Sequence, residues 1–153
     1  MPADVVAQKS ADMSQQIIDT TDWENAKTVH CFLPLVGDSE PDMRELIQFA
    51  IDQGSTVHTS SPSAETGRKV LELDSRDLPE FSLSENIEFD VIIVPMLAYD
   101  PATKHRLGFG GGFYDRFLES QKNALKIGVC FSECITKLPV ELHDQPLDKT
   151  ILV

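Results

Sequence analysis

Arg106 and Arg116 bracket four glycines, Gly108, Gly110, Gly111 and Gly112, which are half of the 8 in the chain. Lys104 and His105 stand just ahead of them. Residues of these types in this order suit the holding of an oxyanion. Glycines let backbone amides approach a ligand closely, and guanidinium and ammonium groups meet its charge. A tight turn between strand and helix would account for the glycines alone. It would not account for the cations, which stand out in a chain whose formal net charge is −12. Basic residues beside exposed amides, in a protein that otherwise repels anions, point to a bound phosphate or carboxylate.

The flanking sequence supplies the elements to position this run. Val91-Ile92-Ile93-Val94 is apolar without alternation and rich in β-branched residues, the pattern of a parallel strand buried on both faces. Pro95 cannot donate to a ladder and ends it. A loop carrying Asp100, Pro101 and the basic residues follows. Phe113, Phe117 and Leu118 then recur at helical spacing, so the glycines open a helix whose first amides face negative charge.

Elsewhere, residues 1–9 read as a ragged terminus, and a helix is expected from Ala11 to Trp23 with Ser14 as its cap. Thr28 to Leu33 reads as a strand stopped by Pro34, with His30 as a strand-end residue. A helix follows from Pro41 to about Gln53, with Gly54 past its end. Strands are expected at Ser55–Thr59, Lys69–Leu73, Leu125–Phe131 and Lys149–Val153, with irregular surface chain over residues 74–89. Strands alternating with helices predict an α/β fold built on an open, mostly parallel sheet, with its ligand at the carboxyl ends of the strands.

The 153 residues suit one domain, and 41% hydrophobic residues exclude disorder. The acidity argues against nucleic-acid and anionic-membrane partners, and no apolar run approaches a membrane span. Three cysteines without framework spacing fit reduced thiols in a cytoplasmic protein. Cys130 and Cys134, with His143 downstream, lack the fourth ligand and pairing of a zinc site.

The eleven residues from Arg106 to Arg116, RLGFGGGFYDR, preceded by Val94-Pro95 and Ala98-Tyr99-Asp100, resemble the signature of the 5-formyltetrahydrofolate cyclo-ligase family. The resemblance runs from about residue 14 to 153. It implies a three-layer, Rossmann-like open sheet with helices on both faces. It also implies ATP- and Mg²⁺-dependent conversion of 5-formyltetrahydrofolate to 5,10-methenyltetrahydrofolate by a monomer or homodimer. Roles follow by position. Arg106, Arg116 and Asp115 would be catalytic. Lys104, Gly108, Gly110, Gly111, Gly112 and Phe113 would hold ATP. Glu40, Phe32 and Tyr114 would bind the folate. Asp115, then Asp100, would bind magnesium, and His143 and Asp144 match a Glu-x-His-Asp near the family's C-terminus. Family members also carry a lysine and an arginine for ATP on an extra first helix. Here Lys9 is the one basic residue before Ser14, so weak ATP binding and reduced turnover are expected, with Lys9 reaching in from a flexible tail as one substitute. The same residues are compatible with a non-catalytic folate- or nucleotide-binding protein, or with a sugar-phosphate enzyme on a similar fold.

Overall fold

The computed structural model describes residues 1–34, 40–60, 78–108, 112–139 and 146–153. Five strands form one parallel sheet: β1 (Thr28–His30), β2 (Thr56–His58), β3 (Val91–Pro95), β6 (Leu125–Cys130) and β7 (Lys149–Leu152). Their order is β2-β1-β3-β6-β7. A short antiparallel hairpin, β4 (Ala98–Asp100) with β5 (His105–Leu107), projects after β3. Helices α1 (Ala3–Thr20) and α2 (Arg44–Asp52) cover one face, and α3 (Phe113–Ser120) covers the other. The open parallel α/β sheet with helices on both faces is therefore present. No helix among the described residues is long and apolar enough to cross a membrane.

Strand β3 shows why the sheet is sandwiched. All five of its residues are buried. Val91 and Ile93 pack with Met13, Ile17, Leu46 and Ile47 of α1 and α2. Ile92 and Val94 pack with Phe117 and Leu118 of α3. Strand alternation sends successive side chains to opposite layers, so both must be apolar. Two aspartates pin the register at the amino ends. Asp90 accepts from the amides of Lys27 and Thr28, each at 2.9 Å, and Asp148 from that of Lys126 at 2.8 Å.

Gly128 lies in β6, where an added Cβ would collide with the side chains of Leu147 and Met96. Gly128→Val should cost roughly 1–3 kcal/mol of overpacking. Chemical denaturation would show it as a lower midpoint, and a midpoint equal to that of the unsubstituted protein would refute the packing argument.

Several boundaries differ from the sequence expectation. The first helix begins at Ala3, in the stretch read as a ragged terminus, and Ser14 is buried within it instead of capping it. Tertiary contacts hold this helix. Lys9 Nζ lies 2.7 Å from Glu133 Oε1 and donates to the carbonyl of Val153 at 3.2 Å, and Ser10 Oγ accepts from the amide of Asp42 at 2.9 Å. Lys9 is thus committed at the sheet edge and does not reach from a loose tail. Trp23 lies past the helix, with Nε1 donating to the carbonyl of Ile18 at 3.1 Å. β1 stops at His30, after which the Cys31 amide bonds His58 O at 3.0 Å and the chain turns away. α2 starts at Arg44, because Asp42 takes the Arg44 amide at 3.1 Å and makes the preceding turn non-helical. The strand expected at Lys69–Leu73 lies outside the described residues. The β4–β5 hairpin stands where the sequence predicts a loop.

Candidate functional site

The site is built by topology. From β1 the chain crosses through α2 to β2 on one side, while β3 lies on the other side of β1. Strand order reverses between β1 and β3, and the crevice above that reversal is where parallel α/β sheets bind ligands. Two segments rise there. One leaves β1 through Cys31 and Phe32 and returns at Glu40. The other leaves β3 into the hairpin and continues to the glycines and α3.

Arg106 is the central group. It sits in β5 opposite Tyr99, with a side chain only 6% exposed, and its Nη2 lies 2.7 Å from Oδ1 of Asp115 in the first turn of α3. This pair ties the hairpin to the helix across the glycine run. A guanidinium so held is oriented before any ligand arrives. Gly112 precedes α3 in the left-handed region, with φ +66°, and its carbonyl accepts the Arg116 amide at 3.1 Å. No side chain of its own caps the helix. The amides of the first turn therefore point out of the helix end, where they attract an anion. Arg116 is exposed on the same turn, with Nη1 against Gly112.

Tyr114 joins the two segments. Its ring is half-buried against the α3-side core, and burial pushes its hydroxyl pKa up, with Cys31 and Glu40 reinforcing the shift and Arg106 opposing it. Glu40 and Cys31 of one segment and Arg106 of the other are thus near enough for their charges to act on one phenol. Phe113 packs edge-on to Tyr114, with centroids 5.1 Å apart, and leans on the α3-side core.

Other candidates stand elsewhere. Phe32 is 4% exposed and belongs to the core beneath α1 and α2, so it offers no open face to a ring. Lys104 is exposed at the hairpin tip in the left-handed region, φ +60°, a conformation that is uncommon away from glycine and asparagine. Gly108 is exposed, with open space where a Cβ would stand. Gly110, Gly111, His143 and Asp144 lie outside the described residues.

The two magnesium candidates separate. Magnesium bound alongside phosphates asks the protein for only one or two carboxylates. Asp115 fits, as a 29% exposed carboxylate beside the helix amides. Asp100 does not. Both its oxygens are taken by backbone amides, Oδ1 by Ala102 and Oδ2 by Leu138, each at 3.0 Å. Those bonds, the one from Leu138 foremost, hold its carboxyl below the usual range. Among the described residues no group of three His, Cys, Asp or Glu could cage a metal by itself.

Sequence reasoning missed the setting of His30. It ends β1, fully buried on the α3 side, with rings of Phe81, Phe89, Tyr114 and Phe117 around it. Ser60 Oγ donates to Phe81 O at 3.1 Å, so the 2.8 Å contact with His30 must be donated by Nε2–H. Nδ1 then carries a lone pair without a partner among the described residues. Burial, with His58 alongside, lowers the His30 pKa to about 3. The sign follows from the depressed value: the native state stays unprotonated while the unfolded chain takes up a proton below pH 6.5. His30 therefore costs no stability above pH 6.5 and removes roughly 2 kcal/mol by pH 5. Carboxylates contribute only nearer pH 4, so the window is separable. Unfolding free energy should fall between pH 6.5 and 5 and lose that slope in His30→Asn. An unchanged slope in the variant would refute the assignment.

Comparison with known proteins agrees with this architecture. A family model described as the 5-formyltetrahydrofolate cyclo-ligase family matches residues 1–153. The 5-formyltetrahydrofolate cyclo-ligase of Saccharomyces cerevisiae is 25% identical over 179 residues, covering 95% of this chain and 84% of that one. The Escherichia coli K12 protein of the same name is 38% identical over 82 residues, or 52% of this chain and 42% of that one. The solved structure of a 5,10-methenyltetrahydrofolate synthetase from Mycoplasma pneumoniae superposes with a TM-score of 0.72 at 17% identity, covering 99% of this chain and 88% of that one. At that identity the likeness speaks for the fold.

Proposed function

Because the chain belongs to the 5-formyltetrahydrofolate cyclo-ligase family, we propose that it closes the formyl group of 5-formyltetrahydrofolate into 5,10-methenyltetrahydrofolate at the expense of ATP. The observation that carries the reading is the Arg106–Asp115 pair, which sets a buried guanidinium beside the helix start that follows the glycine run. In this reaction the γ-phosphoryl group passes to the formyl oxygen. The neighbouring folate nitrogen then attacks the formyl carbon, loses its proton, and phosphate departs with the former formyl oxygen.

Phosphoryl transfer asks a protein chiefly to position groups and to offset charge. Amides of the glycine run and of α3 hold phosphate oxygens. Arg106, fixed by Asp115, meets the charge that spreads over the transferring group, and Arg116 meets it from the helix side. Magnesium, when bound with ATP, neutralises phosphate charge, with Asp115 as the protein carboxylate that would hold it. Glu40 accepts N–H groups of the heterocycle, and the Tyr114 ring packs against it. Lys104, on the hairpin tip, adds a cation at the entrance.

The test is absorbance of the methenyl product on mixing the protein with 5-formyltetrahydrofolate, ATP and Mg²⁺. The reading requires product that depends on all four components. Binding of ATP and the folate without product would leave a binding protein in its place.

A further inference from the structure

We propose that Asp100 is a positioning residue for the anion site: its carboxylate ties the β4–β5 hairpin to the segment after β6 and so sets where Arg106 stands. The inference rests on the cyclo-ligase reading for the identity of the anion, ATP.

Asp100 is 5% exposed, and its two oxygens serve two different segments. Oδ1 takes the amide of Ala102 inside the hairpin loop, and Oδ2 takes that of Leu138, 38 residues away. Its own carbonyl accepts the Lys104 amide at 2.7 Å, closing the loop on the residue at φ +60°. A strained backbone persists only where its surroundings over-determine it, and here Asp100 supplies three of the constraints. The neighbouring residue completes the clamp. Tyr99 bridges to Ile135, and its carbonyl accepts the Thr136 amide at 2.9 Å. Tyr99 is also the register partner of Arg106. The hairpin is thus docked on residues 135–138 along the strand that faces the arginine. Releasing Asp100 would loosen β4 from residues 135–138 and let its register partner Arg106 shift with it.

Asparagine at position 100 keeps the shape but sets an NH₂ against one of the two amides, replacing a bond with a donor–donor clash. The experiment is a double-mutant cycle on ATP–Mg²⁺ affinity by calorimetry, using Asp100→Asn, Arg106→Ala and the pair. If Asp100 acts through Arg106, Asp100→Asn weakens binding about tenfold in the native background and less than about twofold when Arg106 is already alanine. A purely structural lesion would lower affinity equally in both. Equal loss, or no loss, overturns the proposal. So does a higher Mg²⁺ requirement as the sole change, which would make Asp100 a metal ligand. Should Asp100→Asn fail to unfold cooperatively, Leu138→Pro removes one donor while keeping the carboxylate, and the same non-additivity is expected. Turnover of the unsubstituted chain is measured separately. Non-additive ATP binding without turnover would sink the cyclo-ligase reading and keep Asp100. Turnover with additive losses would do the reverse. No ATP binding in any background would overturn both.

Discussion

Arg106→Ala is expected to lower kcat by about 10³-fold, the low end of what a phosphoryl-transfer arginine contributes. The guanidinium is nearly fully buried and already aimed by Asp115, so little reorganisation is left for the reaction itself. Its removal strips charge stabilisation from the transition state more than from bound ATP, so kcat should suffer more than KM. Stability should fall by roughly 1.5–3 kcal/mol from the lost charge-assisted bond. Arg106→Lys should recover only part of the rate, because an ammonium lacks the planar fork that spans Asp115 and a phosphate. Steady-state kinetics on the two variants, with thermal unfolding alongside, check this. A folded alanine variant within tenfold of the parent kcat would remove Arg106 from the chemistry.

The second large effect is expected at Gly112. Its φ of +66° is a conformation β-branched residues almost never adopt, and an added Cβ would stand 3.2 Å from Nη1 of Arg116. Gly112→Val therefore carries about 1–2 kcal/mol of backbone strain. It also pushes Arg116 aside and fills the space by which a phosphate approaches the helix amides. The melting temperature should drop by roughly 2–8 °C, and ATP affinity by more than about tenfold, since each lost charge-assisted contact is worth about 1.5–3 kcal/mol. Gly112→Asn should be milder in both, because asparagine tolerates the left-handed region. Calorimetry with ATP on the two variants separates strain from blockage. Valine binding as tightly as glycine would show that no phosphate approaches there.

What the sequence made legible was local. The β-branched run Val91–Val94 announced a strand buried on two sides, and the glycines followed by Phe113, Phe117 and Leu118 announced a loop feeding a helix. Alternation of such segments was enough for an open parallel sheet. The hairpin was not legible, because strands of three residues are too short to show a period. On sequence Asp100 is a metal candidate because an acid near a phosphate loop suits magnesium, while its bond to the amide of Leu138, distant in sequence, is not legible there. Asp115 shows the same limit in milder form, since its pairing with Arg106 needs the hairpin to fold back. Phe32 looked available because it follows a strand, and the packing of α1 and α2 closed it in. The start of α1 at Ala3 depends on Lys9 meeting Glu133, 124 residues on, a contact that no local propensity encodes.

If the site moves a phosphoryl group onto the formyl oxygen, as proposed, the fate of that oxygen reveals it. 5-Formyltetrahydrofolate labelled with ¹⁸O in the formyl group would be turned over with ATP and Mg²⁺, and the released phosphate weighed by mass spectrometry. The expected result is phosphate carrying the label, in amounts equal to the methenyl product. Unlabelled phosphate beside methenyl product, or product formed without ATP, would contradict it.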